Sequence, residues 1–294
     1  MRFLVAGSSG FLGSRLTQQL QAEGHRVTAL VRRTPTPGEA RWDPYAGTLP
    51  EGLVEDHDVV VNLAGAPMVG NPFSKAWADA LRRSRVTTTS VLAEAIATSD
   101  RRPAFVAGNG ISWYGDHGGA PLTEHSESLG HALLTEVTRD WQAATDAASS
   151  AGARVVVLRT APVMDAANPP LSILRRLFGL GLGGRIGSGR QYFPLVSARD
   201  WVASVVFLAD STVSGPVNLT IPEPATNADF TRALARQLHR PAPVPVPATA
   251  VRAAAGPLAP EVLGSVRAMP QQLLDAGFRF VDPDVDSVLS AALR

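Results

Sequence analysis

Met1-Arg-Phe-Leu-Val-Ala-Gly7-Ser-Ser-Gly10-Phe-Leu-Gly13 is the stretch whose reading decides the fold. An apolar run, Phe3 to Ala6, meets glycines at Gly7, Gly10 and Gly13, and a helix-like segment follows from Phe11 to Glu23. The order is strand, Gly-rich turn, helix. A helix N-terminus carries free N–H groups and the positive end of the helix dipole, which suits a pyrophosphate. Gly7 permits the tight turn, Gly10 lets phosphates approach the backbone, and Gly13 lets the helix pack close to the strand. Ser9, Phe11 and Leu12 lie in the same turn and count as cofactor-binding candidates with the three glycines. After a turn at Gly24-His25, Arg26–Val31 reads as a second buried parallel strand. The β-α-β unit fits the roughly thirty residues that a dinucleotide fingerprint requires. The bland alternative is an ordinary Gly-rich loop. A signal peptide is excluded, because glycines interrupt the apolar run and Arg15 follows.

The end of the second strand reads the adenosine ribose. A carboxylate there favours NAD, and a cation accommodates the 2′-phosphate of NADP. Arg32 and Arg33 stand there, with no acid before Glu39. The expectation is a preference for NADP(H), unless the two arginines only solvate a strand end.

The chain has 294 residues, 45% hydrophobic and 18% charged, with a net charge of +1. That is long enough for one large α/β domain or two modest ones. Nothing favours a nucleic-acid surface, and no apolar run approaches a membrane span. Cys 0 removes disulfides and thiolate sites and fits a cytoplasmic protein. His25, His57, His117, His125, His131 and His239 form no metal-type pair, so they read as surface or loop residues and no metal is expected. The expected partner is a small-molecule substrate, with the chain a monomer or homodimer.

Further strands are expected at Asp58–Gly65, Pro103–Gly108, Ala153–Leu158 and Pro216–Ile221, with a short edge strand at Arg41–Pro44. Helices are expected at Ser74–Thr98, Gly130–Ser149, Arg199–Leu208 and Asn227–Leu238, the last with Asn227 as N-cap. The alternation predicts an α/β fold: a Rossmann-type doubly wound parallel sheet with a smaller C-terminal substrate lobe. The expected domains are 1–164, rejoined by 197–221, and a lobe built from 165–196 and 222–294. Leu180–Arg190 is glycine-dense but lacks a P-loop's Gly-Lys-Ser/Thr, so it reads as turns. Pro241–Pro260 is rich in proline and alanine, and two short helices are expected in the tail from Pro270.

Taken in order, Gly7-x-x-Gly10-x-x-Gly13, Asn62-Leu-Ala-Gly65, Trp113-Tyr-Gly115, Leu158-Arg-Thr160 and Gly187-Ser-Gly-Arg-Gln191 resemble the extended short-chain dehydrogenase/reductase superfamily, of the nucleotide-sugar epimerase and dehydratase type. Ser84-Arg85, Leu180-Gly-Leu-Gly-Gly184, Asp200, Asn218 and the tail residues Met269-Pro270 and Ala276-Gly-Phe278 are similar to an atypical "epimerase family protein" branch with its own small C-terminal domain. The resemblance implies NADP contacts at Val31-Arg32, Leu63-Ala64 and Arg85. Gly65 and Gly108 join these as candidates at strand exits. For Arg85 a solvent-facing helical arginine is the alternative.

The superfamily's usual chemistry needs Ser, Tyr and Lys, with Tyr-x-x-x-Lys on one helix and the Lys charge lowering the Tyr pKa. Here Lys75 is the single lysine and follows no tyrosine at that spacing. The helix expected at 130–149 holds neither residue, and the usual serine falls on Asn109 or Gly110. An unassisted tyrosine, with a pKa of about 10, is a poor base at neutral pH but a usable acid. That favours carbonyl or enone reduction over epimerisation. Tyr114 and Asn109 are the catalytic candidates. Tyr114 could equally be a buried ring bonded to backbone, and Asn109 a loop cap. Glu124, His131 and Trp141 should border the substrate, although Glu124 reads equally as a solvated loop acid and Trp141 as core. Trp113, Trp141, Arg190 and Gln191 are the substrate-side candidates, with Tyr192 and Phe193 beside them. The leading expectation is an NADP(H)-dependent oxidoreductase without the usual triad. A catalytically silent NADP(H)-dependent sensor or scaffold, and a nucleotide-sugar epimerase or dehydratase, are the alternatives.

Overall fold

The computed structural model describes residues 1–47 and 49–294. In chain order the elements begin β1 (Arg2–Ala6), α1 (Phe11–Ala22), β2 (Arg26–Val31), β3 (Glu39–Arg41), β4 (Val59–Asn62), α2 (Lys75–Thr98) and β5 (Ala104–Gly110). A 3-10 turn at Ile111–Tyr114 leads to β6 (Pro121–Leu122), α3 (Leu133–Ala143), α4 (Asp146–Ser150), β7 (Val155–Thr160), β8 (Val163–Met164) and α5 (Leu171–Gly179). Then come β9 (Val196–Ser197), α6 (Ala198–Asp210), β10 (Gly215–Leu219), α7 (Asn227–Leu238), α8 (Ala248–Ala255) and α9 (Ala259–Leu263). The tail adds β11 (Arg267–Ala268), α10 (Gln271–Asp275) and α11 (Val285–Leu293).

Seven strands form one parallel sheet in the order β10-β7-β5-β4-β1-β2-β3. This is the doubly wound Rossmann arrangement, and the order reverses between β1 and β4. Alternation along β1 fills both faces: Phe3 and Val5 pack with Leu16, Leu20, Trp201 and Val205, while Leu4 and Ala6 pack with Leu92, Ile96 and Phe105. A separate core joins Met164, Leu171, Phe178, Phe230, Leu234, Val288 and Leu289, among α5, α7 and α11.

Several expectations shift. The edge strand lies at Glu39–Arg41, before Trp42 and Pro44. The helix expected over 130–149 breaks in two. Gly130 has φ +78°, which delays the start, and the Thr145 hydroxyl bonds Gln142 O (2.8 Å) at the break. The N-cap of α7 is Thr226, not Asn227. Thr226 and Asp229 form a reciprocal capping box, while the Asn227 amide oxygen accepts from Ile186 N at 2.7 Å. His57 is buried, with its ring nitrogens against Leu53 O and Thr28 Oγ1. The Pro/Ala-rich segment contains α8 and the start of α9.

The tail is tied to the sheet. Strand β11 pairs with β6, and Leu273 is fully buried in the sheet's own core. Fully buried Asp200 accepts from Val281 N (2.9 Å) and Asp282 N (2.8 Å). Buried Glu124 accepts from Asn218 N (3.0 Å) and Gln272 N (3.2 Å). Glu124 is therefore a structural clamp and not a solvated loop acid. Burial pushes its pKa up, and the two backbone donors partly offset the rise.

Candidate functional site

A cavity of about 1630 Å³ opens beyond the C-terminal ends of β1, β4 and β5 and runs on to α5, α8 and α9. That position, at the reversal of strand order, is where doubly wound sheets bind ligands. The volume exceeds the roughly 300–1,000 Å³ typical of a pocket for one small ligand.

One end of the cavity is the turn before α1, with Gly7, Gly10, Phe11, Leu12 and Gly13 on its wall. Gly7 has φ +82°, and a Cβ there would lie 2.6 Å from Leu63 C. A Cβ on Gly13 would lie 2.1 Å from Gly7 O. Both contacts are with backbone, so no side chain can yield to relieve them. Gly10 is the N-cap and no side chain caps the helix, nor is there an acid in its first turn. The first-turn N–H groups are thus left for an anion.

The floor is built by β4 and α2. Asn62 is fully buried, donates to Thr89 Oγ1 (2.9 Å) and accepts from Ala64 N (3.1 Å), which shapes the exit through Leu63 and Gly65. Arg85 reaches the cavity from α2. It is not the solvent-facing alternative: it is buried, donates to Ala66 O (3.2 Å) and Leu81 O (3.1 Å), and its guanidinium carbon stands 5.2 Å from the Trp141 ring centroid. No carboxylate pairs with it among the described residues. Burial lowers its pKa to about 10, so it remains a cation at neutral pH. An unpaired buried cation is costly, and an incoming phosphate would relieve that cost. Trp141 lines the same wall, held by its indole N–H to Thr89 Oγ1 (2.8 Å). A Cβ on Gly108 would meet Asn62 O at 3.0 Å and Trp141 at 3.1 Å.

The adenosine end separates the two arginines. Arg33 binds both carboxylate oxygens of Glu39 (2.8 and 2.6 Å), whose pKa falls to about 2 under the Arg33 guanidinium and the Thr36 N–H and hydroxyl. Arg32 is exposed and makes no hydrogen bond or ion pair among the described residues. Ser9, Arg32, Arg33 and Ala64 lie outside the cavity wall; Ser9 is exposed in the turn.

Several substrate-side expectations are corrected. Tyr114 is fully buried and off the cavity wall. Its hydroxyl lies 2.9 Å from Thr123 O and 2.8 Å from Asn218 Oδ1, and accepts from Arg159 Nη1 at 3.0 Å. Burial raises its pKa, with Arg159 opposing the rise. It is a network residue, because the 3-10 turn rolls its ring inward. Trp113 stacks on Arg159, whose guanidinium carbon is 3.4 Å from the ring centroid, and is also off the wall. Arg190 is exposed, and the Gln191 amide donates to Ile186 O (3.1 Å); neither lines the cavity, although Tyr192 and Phe193 do. Asn109 is on the wall, but its amide is committed to Thr138 O (3.1 Å) and Gly110 N (2.7 Å). His131 borders the cavity.

Ser112, Asp116, Arg252 and Glu261 line the wall without having been anticipated. Glu261 had a visible signal: it is the only acid between Asp229 and Asp275, and it sits in an apolar tract, Pro257–Leu263. Ser112 lies two residues past the end of β5, a step beyond where a strand-end serine is sought. Among the described residues there is no cluster of metal-ligating side chains, and no helix is long and apolar enough to cross a membrane.

Comparison with known proteins fits this geometry. Residues 3–221 match the NAD dependent epimerase/dehydratase family, and 246–292 match a domain of unknown function, DUF1731. An epimerase family protein of Mycobacterium bovis is 40% identical over 98% of this chain and 96% of its own length. The human epimerase family protein SDR39U1 is 34% identical over 98% of both chains. The crystal structure of its isoform 2 with NADPH superposes with a TM-score of 0.88, at 32% identity and full coverage of both chains. A nucleoside-diphosphate sugar epimerase from Corynebacterium glutamicum superposes at 0.81 with 35% identity; this chain spans 58% of that longer one. From its Gly-rich turn to its strand order, the chain belongs to the NAD-dependent epimerase/dehydratase family.

Proposed function

We propose that this chain binds NADPH across the β1–β4 crevice and reduces a small, largely apolar carbonyl or enone without a Tyr–Lys pair. The observation that carries the reading is the continuous cavity. At one end stand the free first turn of α1 and the unpaired Arg85. At the other, Ile111, Leu129, Pro162, Val163, Ile173 and Phe193 make a mostly apolar chamber. A glycine cradle that any Cβ would fill, together with a buried cation lacking a counter-ion, fits a pyrophosphate. The human relative crystallised with NADPH supports the choice of cofactor, as does the unpaired Arg32.

Among the described residues, Arg252 is the only lysine or arginine on the cavity wall besides Arg85. A nucleotide sugar carries two further phosphates to be neutralised, so that substrate class is disfavoured. Epimerisation through a keto intermediate also needs a base strong enough to oxidise an alcohol, and no tyrosine with a lysine partner stands in the cavity. Reduction needs only a proton donor. When bound, NADPH supplies hydride; the protein's share is to orient the carbonyl, exclude water and deliver a proton.

The test is NADPH titration by fluorescence, followed by NADPH consumption over a panel of aldehydes, ketones and enones. Gly10→Glu, which places a carboxylate where phosphates approach, should abolish both binding and consumption. NADPH binding with complete inertness across the panel would replace this reading with that of a silent NADPH-dependent sensor, which the burial of Tyr114 favours.

A further inference from the structure

Glu261 is the one cavity-wall acid that comes from the C-terminal unit matching the domain of unknown function. It sits on α9, which the packing of α8 and the 3-10 turn at Gly256–Leu258 holds against the substrate end of the cavity. The segment is anchored on both sides. Phe73 packs where a Cβ on Gly256 would stand, and Ser265 N donates to Asp116 Oδ1 at 3.1 Å. No Lys, Arg or His pairs with the Glu261 carboxyl among the described residues. The other titratable groups on the surrounding wall are Asp116, His131, Tyr192 and Arg252.

We propose that Glu261 is the catalytic proton donor of the reductase, so that the C-terminal unit completes an active site whose Rossmann half lacks a Tyr–Lys pair. The proposal rests on the reductase reading above. Two observations support it. The carboxyl shares the substrate-side wall with the Ser112 hydroxyl, which follows β5 and can hold a carbonyl oxygen beside it. Burial pushes the Glu261 pKa above the usual carboxylate range, and the nearby Ser112 hydroxyl only partly opposes the rise. A partly buried acid without a cationic partner keeps its proton to higher pH and can donate it.

The step balances. The substrate's carbonyl carbon receives the hydride that the cofactor supplies, and the carbonyl π electrons move to oxygen. That oxygen takes the Glu261 proton. The products are the alcohol, oxidised cofactor and a Glu261 carboxylate, which regains its proton from water. One proton is consumed per turnover.

Wild type, E261Q and E261D are compared by NADPH titration, kcat and KM against pH, and carboxyl titration with 13C-labelled glutamate. In the wild type one glutamate should titrate above the ordinary range, and its resonance should be absent from E261Q. E261Q should bind NADPH within about threefold of wild type and lose kcat by about 100-fold or more, as expected for removal of a general acid. Wild-type kcat should fall as pH rises through the Glu261 pKa. E261D should recover part of the rate. Wild-type rates in E261Q, or an ordinary titration of Glu261, would overturn the proposal while leaving the reductase reading intact. A wild type that binds NADPH and reduces nothing overturns the reading itself, and the role of Glu261 with it.

Discussion

Replacing Arg32 and Arg33 separately distinguishes two residues that look equivalent in the sequence. Arg33 is held by both oxygens of Glu39, whereas Arg32 has no partner among the described residues. A 2′-phosphate arriving beyond β2 therefore meets a free guanidinium at Arg32 and a neutralised one at Arg33. Hydrogen bonds to charged groups contribute about 1.5–3 kcal/mol each. With each 1.4 kcal/mol a factor of ten, Arg32→Ala should weaken NADPH binding by about 10- to 150-fold. NADH lacks that phosphate, so its affinity should change by less than about threefold. Arg33→Ala should cost NADPH much less than Arg32→Ala does. Glu39→Gln should free Arg33 and raise NADPH affinity several-fold, again without effect on NADH. Fluorescence titration of both cofactors against the wild type and the three variants reads all of this. Equal losses for NADPH and NADH in Arg32→Ala, or a larger loss in Arg33→Ala, would refute the reasoning.

Arg85→Met removes an unpaired buried cation while keeping an apolar stem over Trp141. Thermal melting should show unchanged or higher stability, with NADPH and NADH affinity both falling about tenfold or more. Tyr114→Phe strips the hydroxyl that Arg159 bonds and should destabilise by about 1–3 kcal/mol in urea unfolding. Cofactor affinity and kcat should remain within threefold, contrary to the behaviour of a catalytic tyrosine. In acid, the ion pair of Glu39 contributes stability above its unfolded pKa of about 4. That contribution is lost as pH falls toward the folded value of about 2. Asp58, lowered chiefly by the Arg2 backbone N–H, acts in the same direction. Melting temperature should therefore decline below about pH 4.5, less steeply in Glu39→Gln.

The Gly-rich turn and the sheet are legible because their determinants are local. Gly7, Gly10 and Gly13 announce a turn within one β-α-β unit, and the periodicity of β1, β4 and β5 places the sheet. The substrate half is not. Tyr114 and Trp113 sit in a motif that suggests chemistry, yet the 3-10 turn directs them to Arg159, a residue 45 positions away from Tyr114. Glu124 looked solvated because its two donors, Asn218 N and Gln272 N, lie 94 and 148 residues on. Arg190 and Gln191 follow the motif but lie off the cavity wall, Arg190 exposed and the Gln191 amide bonded back to Ile186 O. Contacts formed across such separations leave no periodic trace in the residues that make them.

The pairing of β6 with β11 has a consequence for how the molecule comes into being. Strand β6 lies at Pro121–Leu122 and its partner at Arg267–Ala268. During synthesis, at about 5–20 residues per second, a nascent chain shows its Gly-rich turn well before its tail emerges. Until then β6 has no partner strand, Glu124 lacks the Gln272 N–H, Asp200 lacks both of its backbone donors, and the wall carrying Glu261 does not exist. The Gly-rich turn and the far wall of the cavity are thereby separated in time, the first complete long before the chain that closes the second has been made.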